Sequence, residues 1–516
     1  MQKPNRHHLL LASAAVLAIG VAAAAPAAAN ELDPDATLSY VHDRAIQNLD
    51  PDRETTGQPL AFFFPVYDRL VHLTPLGELL PGLAVERNWL DDGATLELVL
   101  REGVVFHDST PFDAEAVAYN LDRSANLPDV NATSRNNVAP IAEVEVVSEH
   151  VVRLHRDPAP EHDIGWGLLE TRLAENIGMM VSPTAADDPE FDQNPVGAGP
   201  FRVVDFTNER VVYERFDDYW DADAVQIKEL RIFQDLGSDT VLAGIRSGRF
   251  DLGVLQDRQI PEAESAGVPY TVAETNTIFQ LWNNHSRPPL DDVNIRRTLL
   301  YGIDRQAIVD VFFGGRNAPT PQPFVPSSPA FNAECSAEQY AYDPEKVREL
   351  VAQSNYPDNP TIGIMTNNIP EWIEIVEAMQ GMLAAGGVNL EIQINEPAQF
   401  GRYFAGEFDM AMGRRGRVDP LEALENTWAA SGDSNPGGMN DPKLQDLLAA
   451  IARATDPDER IALIQEMSCS AIDKGFSPGL WSIAKIWGHS ECLVGFDAPF
   501  TPYPEFRNVG IRAGCR

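Results

Sequence analysis

Positive charge is what this chain has least of. Its 39 lysines and arginines stand against 77 aspartates and glutamates, a formal net charge of −38 over 516 residues. Nucleic-acid binding needs a basic stripe to neutralise phosphates, and none is present. The same deficit excludes docking on an anionic membrane surface. What remains is a solvated acidic exterior, against which a site built from cationic side chains stands out. Cysteine is scarce too. Four residues, Cys335, Cys469, Cys492 and Cys515, all fall in the last third, spaced wrongly for a zinc knuckle. An even number in an oxidising compartment implies disulfides. Three pairings are open, and Cys469–Cys492 is the expected bridge, joining a helix to the segment after the next strand.

Long apolar runs are absent beyond the start of the chain. There Lys3, Arg6 and two histidines precede an alanine-rich stretch from Leu9 to Ala25, and Ala27-Ala28-Ala29 offers a small-residue cleavage site. Residues 1–29 are therefore expected to be a cleaved signal peptide and not a membrane anchor. No cysteine lies at that site to carry a lipid, so a free periplasmic protein is expected.

Catalytic signatures are missing as well. There is no HExxH, no G-x-S-x-G and no glycine-rich phosphate loop leading into a helix. Gly432-Asp433-Ser434 resembles a serine-protease motif, but Asn435-Pro436 follow where that pattern needs two glycines. His107-Asp108-Ser109 has triad residue types, yet adjacent side chains cannot relay a proton in the required geometry. His155 and His162, with Glu161 between, sit in a proline-rich loop and read as surface. No cofactor, no metal site and no enzyme activity are expected; a secreted hydrolase is the rival from another class.

What is present is an α/β pattern too long for one core, so two or three domains are expected. Leu96, Leu98 and Leu100 alternate as in a half-buried strand. Between Ile278 and Gly315 the chain reads as a strand (Ile278–Asn283), a proline turn and two helices. Asp292 and Asp304 are placed to cap those helices, and Gly314-Gly315 ends the second. Asp343-Pro344 starts another helix. Pro370–Ala385, Val388–Ile394 and Phe408–Gly413 continue a β-α-β run, which predicts a substantially parallel sheet in a second lobe.

The densest cationic cluster is Gly413–Pro420, GRRGRVDP. Ligands of open α/β sheets bind beyond the carboxyl ends of strands. A strand ending at Gly413 would aim Arg414, Arg415 and Arg417 at such a crevice, where their planar forks suit carboxylate or phosphate. Pairing with Asp419, Glu422 and other carboxylates is the alternative. Trp282, Trp428, Trp481 and Tyr403 lie near strand ends or loops, as ligand-facing rings or as core.

Several separated motifs give these pieces a common frame. VYDRLV, LLPGLAVERNW and LREGVVFHDSTPFDAEAVAYNLDR within Phe64–Arg123 resemble extracellular solute-binding proteins of family 5. So do NPVGAGPFRVVDF, DDYW, the Ile278–Gly315 stretch, YDPEKVRELV and FDMAMGRRGRVDP. This is the dipeptide-, oligopeptide-, glutathione- and nickel-binding group of ABC importers, and the resemblance covers nearly the whole chain after the leader. It implies a bilobal, type II periplasmic-binding-protein-like α/β fold with an extra inserted α+β subdomain. Mapped here, residues 30–60, 195–277 and 486–516 would form lobe I, 61–194 the inserted subdomain and 278–485 lobe II. Asn283 would mark the crossing.

The resemblance further implies a monomer that captures a small solute and passes it to ABC permease subunits. Peptide-binding members resemble one another in a Trp after the glycine here and an acidic residue before D-P. This chain has Arg414 and Arg417 near those positions. A ligand presenting an anionic group is therefore expected: an opine, an acidic peptide or another carboxylated compound. The expected contacts are Arg414, Arg415, Arg417, Asp419, Tyr403, Trp282, Asn283, Trp428, Trp481 and His42. A nickel chelate, with His42 and His489 contributing, is the alternative within the same fold.

Overall fold

The computed structural model describes residues 31–515 apart from 55–59, 75–77, 160–161, 397–400, 431, 433, 455, 500 and 502. The expected signal segment, Glu161 and Asp433 lie outside the described residues.

The first strand, β1 (Thr37–His42), is buried from Leu38 onward. The chain then passes through a short helix, α1 (Leu60–Phe63), into a separate body. That body holds a hairpin of β2 (Val71–Leu73) and β3 (Leu79–Pro81), then β4 (Ala84–Leu90) and β5 (Thr95–Leu100). Helices α2 (Ala114–Asn126) and α3 (Ala132–Val138) and strands β6 (Ile141–Ser148) and β7 (Val151–Arg156) follow, with α4 (Asp163–Gly167) and α5 (Leu169–Arg172) last. Four strands pair antiparallel in the order β4-β5-β7-β6. Leu96, Leu98 and Leu100 bury one face of this sheet against Val117 and Leu121 of α2. The Asp113 side chain caps α2 by accepting from the Ala116 N–H.

The chain then returns to build one large sheet. Its first part comprises β8 (Phe201–Phe206), β9 (Arg210–Arg215), β10 (Glu229–Gln234), α6 (Ser238–Arg246), β11 (Leu252–Leu255) and α7 (Ile260–Ala266). Next come β12 (Tyr270–Asn283), α8 (Val293–Tyr301), α9 (Arg305–Phe313), α10 (Pro344–Ala352), β13 (Thr361–Asn367) and α11 (Pro370–Ala385). After β14 (Asn389–Asn395), α12 (Gly401–Phe404) and β15 (Met410–Gly416), three helices follow: α13 (Pro420–Trp428), α14 (Pro442–Arg453) and α15 (Pro457–Asp473). Strand β16 (Gly479–His489) and the pair β17 (Leu493–Val494) and β18 (Gly510–Ile511) complete the fold.

Ten strands pair in the order β14-β13-β15-β12-β16-β11-β1-β10-β9-β8. The two lobes share this sheet through β12 and β16. At 14 residues, β12 is long enough to serve both, since a strand advances about 3.3 Å per residue. Its Thr277–Asn283 half pairs with β15, while β16 pairs with β11 through Ile486–His489. The β12–β16 register breaks between Glu274 and Ile278. Sequence pattern places the start of this strand at Ile278, eight residues late. From Tyr270 to Ala273 the side chains are exposed or half-buried on both faces, so the alternation that marks a strand is missing there.

Asp292 and Asp304 cap α8 and α9, and Gly314 ends α9 in the left-handed region at φ 56°. Beyond them the sheet is mixed: β13 runs parallel to β14 and β15, but β12 is antiparallel to both its neighbours. The expected Cys469–Cys492 bridge is corrected by the structure, which joins Cys335 to Cys469 and Cys492 to Cys515. Cys469 lies on α15, in the lobe II helical layer, where the turn Ala333–Cys335 meets it. Cys492 lies past the end of β16 in lobe I. Pairing of Leu493 with Ile511 brings Cys515 to it.

Candidate functional site

A cavity of about 650 Å³ lies where lobe I, the inserted subdomain and lobe II meet. Phe64, Trp220 and Tyr503 supply its aromatic wall. Behind Trp220 the Arg101 guanidinium stacks at 3.7 Å from the ring centroid, and Arg69 stacks at 3.9 Å on Phe64. Three ion pairs line the space. Arg69 meets Glu505 at 2.7 Å, Arg417 meets Glu422 at 3.0 Å, and Arg507 pairs with Asp221.

One buried carboxylate anchors this wall. Asp68 pairs with His72 and accepts from the Tyr219 hydroxyl at 2.9 Å and the Trp220 indole. Burial opposes its ionisation, but His72, Arg507 and these hydrogen bonds outweigh it and hold the carboxyl far below its usual range. Glu175 goes the other way. Burial, then the neighbouring Glu422, push it up to about 8 against Arg417, Arg172 and Arg69.

The three arginines of Gly413–Gly416 and beyond do not converge. Strand β15 runs on to Gly416, so Arg414 and Arg415 are strand residues and face opposite ways. Arg415 stacks 5.1 Å from the Trp282 ring, and its Nε donates to Ser434 Oγ at 2.9 Å. Arg414 turns toward a group at the end of β1. There Lys485, His42, Arg44 and Arg414 overcome the burial of Asp43 and hold its carboxyl below its ordinary range. Only Arg417, past the strand end, lines the large cavity.

Most of the remaining expected contacts are structural. Asp419 caps α13 by accepting from Leu421 N at 2.8 Å, and both its oxygens lie 3.0 Å from Arg460. Trp428 is fully buried and donates to Phe476 O at 2.9 Å. Trp481 is fully buried between Phe279 and Phe313. Tyr403 and Trp282 form a small core with Phe408, and the Trp282 ring lies where a Cβ on Gly413 would be, 2.4 Å away. Asn283 is buried and donates to Gly475 O at 3.1 Å. Its backbone marks the end of the shared strand.

His42 packs against Phe62 and accepts from Arg44 N, with burial lowering it to about 4. Neither His42 nor His489 lines the cavity. Among the described residues no group of three His, Cys, Asp or Glu is placed to hold a metal. His107 is tied to Gly199 O at 2.9 Å, and Ser434 is fully buried, so neither offers a nucleophile system.

Sequence reasoning missed Arg69, Glu175, Trp220, Asn276, Tyr503, Glu505 and Arg507. They come from distant segments that only the fold assembles. The VYDRLV motif containing Arg69 and the DDYW motif containing Trp220 were the local signals among them.

Two lobes sharing a long-stranded sheet, with a closed and charged cleft against an inserted subdomain, define a bilobal solute-binding protein. The profile of the bacterial extracellular solute-binding proteins, family 5 (middle region) matches residues 78–436. The chain belongs to this family. It is similar to the glutathione-binding protein GsiB of Salmonella paratyphi A, at 27% identity over 429 residues, covering 79% of this chain and 81% of that protein. With GsiB of Pectobacterium atrosepticum the identity is 25%, covering 93% and 95%. Its fold is similar to that of the ABC transporter substrate-binding protein CtaP of Listeria monocytogenes, with a TM-score of 0.81 at 19% identity, covering 93% of this chain and 99% of that one. The protein is thus the periplasmic solute-binding component of an ABC importer and not an enzyme.

Proposed function

We propose that the chain captures a peptide-like solute bearing a carboxylate in the 650 Å³ cleft and delivers it, enclosed, to its permease. The observation that carries this reading is the cleft wall itself. All three bodies contribute charged side chains of both signs to one space, between aromatic faces. Such a wall suits a small zwitterion better than an apolar compound. Arg417 is the anion contact. Its Nε lies 3.0 Å from Glu422, one Nη donates to Gly416 O at 3.2 Å and the other to Asn426 Oδ1 at 3.5 Å. A ligand anion therefore takes the remaining N–H groups of the two Nη atoms. The residue stands near where the resemblance puts an acidic residue in peptide binders.

Arg415, held by Trp282 and Ser434, shapes the floor beside Arg417. With Gln280 and Asn426, both arginines line a smaller crevice that adjoins it. Arg414, Arg44 and Lys485 add a positive field at the hinge end. Tyr503 lies within reach of that field and of Glu175 and Arg417, so it spans the two halves of the cleft. The glutathione-binding names of the similar GsiB proteins support a peptide-like solute. Residues 1–29 act as a cleaved signal peptide ending near Ala29, and the exported chain works as a monomer.

Native mass spectrometry of protein purified from its own host should reveal a co-purifying carboxylated solute. Titration with glutathione and acidic dipeptides should give micromolar binding or tighter, about −8 kcal/mol. Arg417→Ala should weaken that binding at least tenfold, and Arg415→Ala by less. Unchanged affinity in both variants would sink the anion assignment.

A further inference from the structure

Two acceptor groups in the cleft lack a hydrogen-bond donor among the described residues. Glu175 lies at the start of the turn Asn176–Gly178, but its side chain does not cap that turn. Its carboxyl makes no hydrogen bond or ion pair among the described residues, whereas Glu422 and Glu505 each have an arginine. Asn276 lies on β12 where the register breaks at the lobe crossing. It is 8% exposed and lines the cavity, and its Oδ1 has no hydrogen-bond partner among the described residues. Unsatisfied buried acceptors are costly, and in a binding cleft they mark where a ligand donor goes.

The two groups border the same turn. Asn276 Oδ1 would lie 2.8 Å from a Cβ on Gly416, and the next residue, Arg417, is one of the charges felt by Glu175. We infer that Glu175 and Asn276 together receive a protonated amine of the solute. This rests on the peptide-like reading above and extends it. The solute's carboxylate goes to Arg417 and its ammonium to these acceptors, so the acid that recognises the amine comes from the subdomain and not from the residue before Asp419-Pro420. An ammonium offers three donors, which a carboxylate and a carboxamide oxygen can share.

Capture then moves a proton. The groups facing Glu175 are Glu422 on α13, Arg417 after β15, Arg172 on α5, Arg69 before β2 and the Tyr503 hydroxyl. With its free carboxyl pushed up to about 8, Glu175 is mostly neutral at pH 7. A bound ammonium favours the carboxylate and expels that proton: the acid and R–NH₃⁺ become an ion pair, and H⁺ leaves to solvent. The bound form therefore holds fewer protons than the free form. Affinity should rise about tenfold per pH unit up to about pH 8 and fall above it as the solute amine loses its own proton.

The test is calorimetric titration at pH 7, in two buffers of different ionisation enthalpy. The probes are glutathione, Ala-Ala and N-acetyl-Ala-Ala, run on the wild type, Glu175→Gln and Asn276→Leu. An amine-bearing probe should bind the wild type with release of close to one proton. Glu175→Gln should bind it at least tenfold more weakly and release none, Asn276→Leu should also weaken it, and the acetylated probe should lose at least a hundredfold. Equal binding by Glu175→Gln, no proton release from the wild type, or equal binding of the acetylated probe would overturn the inference and leave the peptide-like reading intact. Failure of both amine-bearing probes to bind the wild type would overturn that reading and the inference with it.

Discussion

Leu168→Ala should loosen the closed arrangement of the cleft without unfolding either wall. Leu168 sits between α4 and α5 of the subdomain, yet it is 2% exposed and packs within a lobe II cluster that includes Leu421, Leu448 and Ile451. The seam around it is tight. A Cβ on Gly167 would come 2.6 Å from Ala452 O on α14, so only glycine permits this approach. Asp163 meets Arg453 at 3.2 Å, Arg460 donates to Gly167 O at 3.3 Å, and Thr171 donates to Asp419 at 3.1 Å. The exposed Asp163–Arg453 pair contributes under about 1 kcal/mol. Burial of Leu168 dominates the seam.

When the subdomain and lobe II separate, Leu168 returns to water. Truncation to alanine therefore removes about 2–2.5 kcal/mol from the closed form only, at roughly 0.8 kcal/mol per carbon. That shifts the closure equilibrium by about 30- to 60-fold. If the free protein is mostly open, apparent affinity for glutathione falls by the same factor. Small-angle scattering at a glutathione concentration that half-saturates the wild type should show a larger radius of gyration in the variant, and Gly167→Val should reproduce the effect by steric clash. Unchanged affinity and unchanged radius in both variants would refute the reasoning. So would a loss of thermal stability as large as the 2–5 kcal/mol of an ordinary core leucine, because the residue would then stabilise the fold and not closure.

Two further outcomes concern stability. Burial lowers His42 and His107 to about 4 and His285 to about 3, so the folded state binds fewer protons than the unfolded chain below pH 6.5. Their contribution is complete above 6.5 and is lost as pH falls toward 4. In Glu175→Gln, which removes the opposing contribution of a carboxyl pushed up to about 8, unfolding free energies from urea at pH 7.5 and 5.5 should differ by about 1.4 kcal/mol for each histidine, and equal values would show these rings to be solvated. The disulfides should separate by loop length: Cys335–Cys469 spans 134 residues and Cys492–Cys515 spans 23, about 5 and about 3 kcal/mol by chain entropy. Paired serine substitutions followed by urea unfolding should rank in that order.

Local signals were read correctly wherever the physics is local. Aspartate before the first turn caps α2, α8, α9 and α10 because the donors it satisfies lie two or three residues away. The same Asp-Pro signal stands at Asp419, and the structure makes it a cap there too; the ligand role assigned to it set that signal aside. The arginine cluster failed for a related reason. Ending the strand at Gly413 treated Arg414 and Arg415 as loop residues, whereas a strand three residues longer sends neighbouring side chains to opposite faces. The disulfides were misassigned because chain proximity says nothing about which lobe a cysteine ends in.

From its amino acids alone, then, this protein is legible as an acidic, two-lobed solute-binding protein with capped helices and a strand-to-helix entrance to its second lobe. Those properties follow from charge count, periodicity and motifs carried within short stretches. The cleft was decided only by tertiary structure. Arg69, Glu175, Asn276, Arg417 and Tyr503 are drawn from segments that lie far apart along the chain, and each is polar in a way that its own neighbourhood does not explain. Their unusual partners, and the lack of one among the described residues for the Glu175 carboxyl and Asn276 Oδ1, exist only once the β12–β16 crossing closes three bodies around one space. Burial creates the electrostatics of that site, and burial is a property of the fold.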